Sequence, residues 1–419
     1  MKKAGYSFLF VVVFCFSIIQ FFRPAFLSVS LQYNIYYVLL GIGAALVFVN
    51  YKRIYISNFN KPVVLLLLSF VASAFAASYS WGQSITESLK ALLPYMSYIL
   101  FFVLFACKID TYPLEKIIAI LGISFMVIYI LTFIAYPRII FNGQDQKYSD
   151  ERGFARIVLI GAGYLFLFSF YALSTYMAKR QLSWLALYLV SLMCIVMTLT
   201  RTYIAVSLLF SCLYALRSKN LAYKFGLVCV VGLSFFIITK MSFFKLLVEE
   251  TKTEAADGKD NIRIQSYQYY LNNFSPNTTN RILGNGSPYQ ETRYFYFLQD
   301  KEKNYGLYIS DIGYAGLYVK FGIFAIMAYL IIIYQTIKTR VEERYLYCKY
   351  FLYFIFCISI IIDAPFDISF IPAIVIAMYM LSIEDISGTI KSKKLLQALV
   401  LQEYLTHVKT ETSDSYTSI

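Results

Sequence analysis

The hydrophobic and polar positions divide this chain into long apolar runs joined by short polar links. Most runs hold about twenty residues, enough for a helix to cross about 30 Å of hydrocarbon. The pattern therefore predicts an all-α polytopic membrane protein, since a single segment in lipid can form all of its backbone hydrogen bonds internally only as a helix. About twelve transmembrane helices are expected, at 6–22, 31–49, 62–79, 89–107, 115–136, 155–177, 182–199, 202–216, 222–240, 312–336, 346–362 and 367–383.

One stretch, 241–311, breaks this rhythm between the ninth and tenth predicted spans. It is polar and aromatic, and part of it has helical spacing of its own. Connections of this length usually form functional lids or binding loops. We predict four regions: spans one to nine in 1–240, a large outer (periplasmic) loop in 241–311, spans ten to twelve in 312–385, and a cytoplasmic tail in 386–419.

The composition agrees with a membrane protein, because 59% of residues are hydrophobic and only 15% are charged. Soluble domains carry about 25% charged residues. The net charge of +13 raises the question of an anionic partner. With Lys2 and Lys3 inside, more than half of the basic residues fall in links on the cytoplasmic side, and the long loop is nearly neutral. The positive-inside rule explains this charge, so both termini are predicted to be cytoplasmic and no nucleic acid is predicted as a partner.

Cysteine and histidine usage gives no metal motif. All seven cysteines fall in or at the ends of apolar runs, where they are typical of small buried hydrophobes. The single histidine, His407, lies in the C-terminal tail, and no Asp-x-Asp pair occurs. We predict no cofactor and no metal, which disfavours a metal-dependent nucleotide-sugar transferase.

Arginines on the predicted outer side are the main candidates for chemistry. Arg152 and Arg156 are four apart, so at the start of a helix they would share one face. Arg201 lies in the tight turn TLTRT, Arg263 near the start of a segment with helical spacing, and Arg281 further along the loop. Arginine grips phosphate through two parallel hydrogen bonds. The alternatives are snorkelling of Arg152 and Arg156 to lipid headgroups, and contact of Arg201 with headgroup phosphates from a helix end.

The loop offers further candidates. Gly284 and Gly286 flank Asn285 in a tight turn that lets backbone amides approach a ligand. The aromatic residues of the loop suit either interfacial anchoring or stacking on sugar rings. Asp311 opens the next span, where it can cap a helix or act on a substrate, and Glu250 is another carboxylate in the loop.

Together these features resemble the bacterial O-antigen polymerase and ligase superfamily. The resemblance rests on twelve spans, the large loop after the ninth, Thr200-Arg201-Thr202, the ILGNG turn at 282–286 and the segment SDIGYAGLYVKFGI at 310–323. The ligase branch generally has a histidine in the loop, and here there is none. The resemblance therefore favours the polymerase branch.

The resemblance implies a glycosyltransferase of the bacterial inner membrane. It would pass the growing glycan from undecaprenyl pyrophosphate to the next lipid-linked unit of an O-antigen or capsule, with membrane lipids and a chain-length regulator protein as further partners. Cations would stabilise the leaving pyrophosphate without a metal. We expect Arg201, Arg152 and Arg263 to clamp it and Asp311 or Glu250 to orient or deprotonate the acceptor hydroxyl. The remaining substrate-binding candidates are Arg156, Arg281, Gly284 and Gly286.

Two alternatives stay open. The first is an O-antigen ligase. The second is a non-enzymatic flippase of lipid-linked oligosaccharides, which would need polar residues lining a cavity within the spans. A secondary transporter would show broken helices in repeated halves, and the pattern indicates none.

Overall fold

The structure is a computed structural model that describes residues 2–53, 57–141, 145–149, 154–217, 232 and 261–385. This part of the chain is mostly helical, which confirms the coarse fold class. In chain order its helices and strands are α1 (Lys2–Ile18), α2 (Val29–Val49), α3 (Asn60–Trp81), α4 (Ile85–Leu92), α5 (Leu100–Cys107), α6 (Thr111–Ala135), β1 (Asp145–Ser149), β2 (Phe154–Val158), α7 (Ala162–Lys179), α8 (Leu182–Met197), α9 (Arg201–Ala215), α10 (Ile262–Gln268), α11 (Thr278–Leu283), α12 (Arg293–Tyr305), α13 (Gly313–Lys338), α14 (Leu346–Ile358) and α15 (371–385). Apart from residue 232, the predicted span 222–240 lies outside the described residues, as do the first part of the long loop and the predicted tail.

Four of the described helices are long and apolar enough to cross a membrane. They are α2, α3, α6 and the continuous stretch Ile309–Lys338 that contains α13. A fifth candidate arises if α4 and Tyr95–Cys107, which meet at an angle of 55°, count as one broken span. The described residues thus support a membrane protein, but they do not confirm the count of twelve or the position of the loop between spans nine and ten.

The predicted span 89–107 is broken because local signals stop and restart the helix. A capping box starts α4: the Glu87 N–H donates to Ser84 Oγ, and the Ser84 N–H donates to Glu87 Oε2 at 2.8 Å. Pro94 then lies between α4 and the short helical turn that leads into α5. Since proline lacks an N–H and clashes with the preceding turn, it favours a bend there.

The predicted helix 155–177 begins too early. Phe154–Val158 forms β2, which pairs antiparallel with β1 in a two-stranded hairpin. Its aromatic and β-branched residues favour a strand, and the apolar run alone did not separate this strand from the helix. Arg156 pairs with Lys147 in the hairpin. The expectation that Arg152 and Arg156 share one face of a helix is therefore wrong for Arg156. Arg152 lies outside the described residues.

Helix α13 is also interrupted, where the sequence pattern indicated continuity. Gly322 has φ 77° and ψ −173°, which no helix tolerates. The glycine turn of the long loop docks at this break: the Asn285 N–H donates to the Val319 carbonyl at 2.9 Å, and the Gly286 N–H donates to the Lys320 carbonyl at 2.7 Å. The long loop is therefore joined to a membrane helix through backbone hydrogen bonds.

The described part of the loop has a small core of its own. Tyr270, Phe274, Tyr294 and Leu298 are buried together against the start of α13. Trp81, at the end of α3, stacks on Tyr294 with ring centroids 4.6 Å apart. Such aromatic contacts add about 0.5–1.5 kcal/mol to the area they bury. This core holds the loop on the ends of α3 and α13.

Candidate functional site

A cavity of about 610 Å³ lies where the hairpin, the start of α9 and the loop meet. Its wall includes residues of α6, β2, α9, α10 and the linker 359–370. The volume is within the range of about 300–1,000 Å³ that ligand sites usually occupy. Arg156, Arg201, Arg263, Asp311 and Asp367 are the charged residues among its described lining. Four of these five were candidates from the sequence.

Arg156 is held at the edge of the cavity by its strand and by the turn before α9. Its Nη2 donates to Thr200 Oγ1 at 3.4 Å. Its Nε is buried and has no hydrogen-bond partner among the described residues. Burying a donor without a partner is costly, so this guanidinium is suited to an anionic ligand in the cavity.

Arg201 is the first residue of α9, and the cavity also touches Thr202 and Tyr203. Leu199 adopts a left-handed φ of 53°, which turns the chain sharply between α8 and α9. Thr200 precedes the helix and makes no side-chain capping bond in the described structure. The first turn of α9 thus lines the same cavity as Arg201, and helix N-termini bind phosphate in many proteins.

Arg263 comes to the cavity from the loop. Asn261 caps α10 by accepting the Arg263 N–H at 2.9 Å. Tyr267, one turn later, donates its hydroxyl to the Ile360 carbonyl at 2.8 Å, which ties α10 to the linker 359–370. The position of Arg263 thus depends on how the loop is docked.

Two carboxylates, Asp311 and Asp367, line the same cavity. Asp311 lies in the turn Ile309–Ile312; the residue that caps α13 is Ile312, and no side chain caps this helix in the described structure. Asp311 therefore lines the cavity rather than serving as the helix cap considered from the sequence. Asp367 accepts the Ser369 N–H at 2.8 Å in the linker before α15. Burial, aided by the charge of Asp363, raises the pKa of the Asp367 carboxyl to about 6.

Sequence reasoning missed Asp367. A signal was present, because IIDAPFD places two acidic residues four apart within an otherwise apolar stretch. The predicted span 367–383 absorbed this residue into a helix end. In the structure α15 begins later, and Asp367 belongs to the linker.

The other predicted site residues are elsewhere. Arg281 is exposed and donates to the Asn272 carbonyl at 3.3 Å, away from the cavity. Gly284 packs on α13, where an added Cβ would collide with the Lys320 carbonyl oxygen. Gly286 packs on α3 and borders a second, smaller cavity. Arg152 and Glu250 lie outside the described residues.

The charged lining determines what the cavity can hold. Three cations against two carboxylates favour an anionic ligand with several oxygens, such as a phosphate or pyrophosphate. Within the described ranges, no cluster of three His, Cys, Asp or Glu side chains has metal-binding geometry.

Comparison with known families bears on this geometry. Residues 186–330 match the family described as O-antigen ligase. This match supports membership of the O-antigen polymerase and ligase superfamily. The superfamily consists of glycosyltransferase-like enzymes. No curated protein gave a significant match.

The match to the superfamily covers much of the cavity. It includes Arg201, Arg263 and Asp311, as well as the docked glycine turn. Arg156 and Asp367 are outside it, on the hairpin and on the linker before α15. Elements on both sides of the matched segment thus complete the site.

Proposed function

We propose that this chain is a polymerase of lipid-linked oligosaccharide repeat units. It transfers the growing glycan from undecaprenyl pyrophosphate to the next lipid-linked unit in the synthesis of a surface polysaccharide, either O-antigen or capsule. The observation that carries this proposal is the convergence of Arg156, Arg201 and Arg263 on one cavity beside Asp311 and Asp367. Three like charges around one cavity repel each other, and a bound pyrophosphate compensates them.

In the proposed reaction, the bond between the donor anomeric carbon and the pyrophosphate oxygen breaks. The electron pair stays on that oxygen, and the acceptor hydroxyl oxygen forms the new bond to the anomeric carbon. Arg201, Arg263 and the first turn of α9 stabilise the negative charge that develops on the leaving group. Fixed cations suffice for this step, so the proposed transfer is metal-independent.

The acceptor hydroxyl also loses a proton. Asp311 and Asp367 are the described carboxylates of the cavity that can accept it. A pKa of about 6 makes Asp367 mainly ionised at neutral pH and still basic enough to take a proton in the transition state. We assign the base to Asp367 and the orientation of the hydroxyl to Asp311.

The proposed setting is the bacterial inner membrane, with several spans and both termini in the cytoplasm. The described part of the loop and the cavity would then face the periplasm, where lipid-linked units are presented after crossing the membrane. Membrane lipids and a chain-length regulator protein are the other proposed partners.

The test compares surface glycan from cells lacking this protein with glycan from cells complemented by wild type or Arg201→Ala. A polymerase predicts glycan of single repeat units without the protein, and long glycan only with wild type. Loss of all surface glycan, with lipid-linked units trapped inside, would instead identify a flippase.

An O-antigen ligase is the second candidate, because the matched family carries that description. In a ligase mutant, long polymer would accumulate on its lipid carrier. Against it stands the absence of histidine from the loop sequence, where the ligase branch generally has one.

A further inference from the structure

A second cavity, of about 270 Å³, lies between the loop and the membrane helices. Helix α12 contributes one wall, and the residues after the docked glycine turn contribute another. Tyr95, beside α5, and Lys320, in α13 just before its break, complete it. The volume is small for a whole ligand and suits one ring of a larger substrate.

Polar groups converge on this space. Gln299 and Glu302 are three apart on α12, so they share one face of the helix. Within the described residues, neither side chain makes a hydrogen bond or an ion pair. Lys320 Nζ lies 3.3 Å from Asp363 Oδ2, which holds the ammonium at the cavity wall. Burial raises the pKa of the Glu302 carboxyl, and the nearby Lys320 charge acts in the opposite direction.

Aromatic rings and a hydroxyl complete the lining. Tyr95, Tyr294 and Phe295 border the cavity, and Ser287 Oγ lies 3.5 Å from the Tyr95 hydroxyl. Aromatic faces combined with a carboxylate and an amide match a sugar ring, which has apolar C–H faces and a rim of hydroxyl groups.

The two cavities border the same turn, Ile309–Ile312. Ile309 borders the second cavity, and Asp311, two residues later, borders the first. Asp363, the ion-pair partner of Lys320, donates its N–H to the Ser310 carbonyl at 3.3 Å. A glycan chain that reacts in the first cavity therefore has a neighbouring place for one of its other sugars.

We propose that this second cavity is a sugar-binding subsite, in which Glu302 and Gln299 bind the hydroxyl groups of one ring of the lipid-linked oligosaccharide. The substrate class rests on the proposed function, but binding to this subsite needs neither the lipid nor the pyrophosphate. The subsite can therefore be tested separately from catalysis.

The test uses tryptophan fluorescence. The chain has two tryptophans, and Trp81 stacks on Tyr294, a residue of the cavity wall. A Trp184→Phe background leaves Trp81 as the sole reporter. The probe is the repeat-unit oligosaccharide released from the polysaccharide of the same cells, added to the purified full-length protein in detergent.

We expect saturable quenching, with the Kd raised about tenfold or more by Glu302→Gln, because hydrogen bonds to charged groups are among the stronger ones. Asp300→Asn is the matched control, since Asp300 is on the same helix but does not line the cavity. It should leave the Kd unchanged. Absence of quenching, or equal Kd values for Glu302→Gln and Asp300→Asn, would overturn the subsite.

These outcomes separate the two proposals. Oligosaccharide binding without any polymer formation would keep the subsite and refute the polymerase. Polymer formation that depends on Arg201, with no effect of Glu302→Gln on binding or turnover, would keep the polymerase and refute the subsite. Turnover assays of Glu302→Gln then show which substrate holds the bound ring. A rise in KM for the single lipid-linked unit alone identifies the ring as part of the acceptor, and a rise for the extended glycan alone assigns it to the donor.

Discussion

Docking of the glycine turn at the break in α13 controls the position of the loop, and Gly284→Ala perturbs it selectively. Gly284 has φ 89° and ψ 169°, a region that essentially only glycine occupies. An alanine there costs about 1–3 kcal/mol in backbone strain. Its Cβ would also collide with the Lys320 carbonyl oxygen, so the turn must withdraw from α13.

Withdrawal breaks the two backbone hydrogen bonds from Asn285 and Gly286 to α13. At about 0.5–1.5 kcal/mol each, the lost bonds cost about 1–3 kcal/mol, which is comparable to the strain that withdrawal relieves, so docking weakens by about 1–3 kcal/mol. Each 1.4 kcal/mol lowers the docking equilibrium about tenfold. Since Arg263 belongs to the same loop, we expect activity to fall although Gly284 does not line the arginine cavity.

The assay is hydrogen–deuterium exchange of the loop over 261–311, together with the melting temperature. Gly82→Ala is the matched control: its φ is +68°, but an added Cβ meets nothing within 4 Å. It should cost about 1–2 kcal/mol and leave loop exchange unchanged. Equal loop exchange in Gly284→Ala and Gly82→Ala would refute the docking account.

Three further predictions concern single side chains. Arg201→Lys keeps the charge but loses the planar fork, so we expect the rate of polymer formation to fall about tenfold or more, and a normal rate would contradict the clamp. The pKa of Asp367 is about 6 in the folded protein and about 4 in an unfolded chain, so its contribution to stability is present below pH 4 and is lost as the pH rises through 6. The melting temperature of wild type relative to that of Asp367→Asn should therefore be higher at pH 5 than at pH 7. A difference that does not change with pH would refute the assignment. Arg344→Ala leaves the buried Glu115 without its ion-pair partner, so a loss of about 1–3 kcal/mol in stability is expected, with oligosaccharide binding at low temperature unchanged.

The sequence identified residues more successfully than it identified their arrangement. Arg156, Arg201, Arg263 and Asp311 stood out because charge is unusual beside apolar runs. Their convergence on one cavity could not be predicted, because they lie on a hairpin, a helix start, a loop helix and a turn far apart in sequence. Asp367 was missed because hydropathy assigned it to a membrane span.

Hydropathy also failed where backbone geometry departs from a regular helix. The strand Phe154–Val158 is as apolar as a helix end, and only its pairing with β1 distinguishes the two. The break at Gly322 depends on a partner from the loop, since Asn285 and Gly286 donate to carbonyls of α13. The same two contacts give the ILGNG turn a structural role, and Gly286 also borders the second cavity.

In the proposed function, the arginine cavity carries out glycosyl transfer from polyprenyl pyrophosphate. To test this function directly, the purified protein is reconstituted in liposomes with single lipid-linked repeat units and a metal chelator. The length of the glycan products is then measured on a gel. We predict a ladder of polymers with wild type and with Arg281→Ala, whose side chain lies outside the cavity, and single units alone with Arg201→Ala. A ladder of normal length, formed at the normal rate by Arg201→Ala, would contradict this function of the cavity.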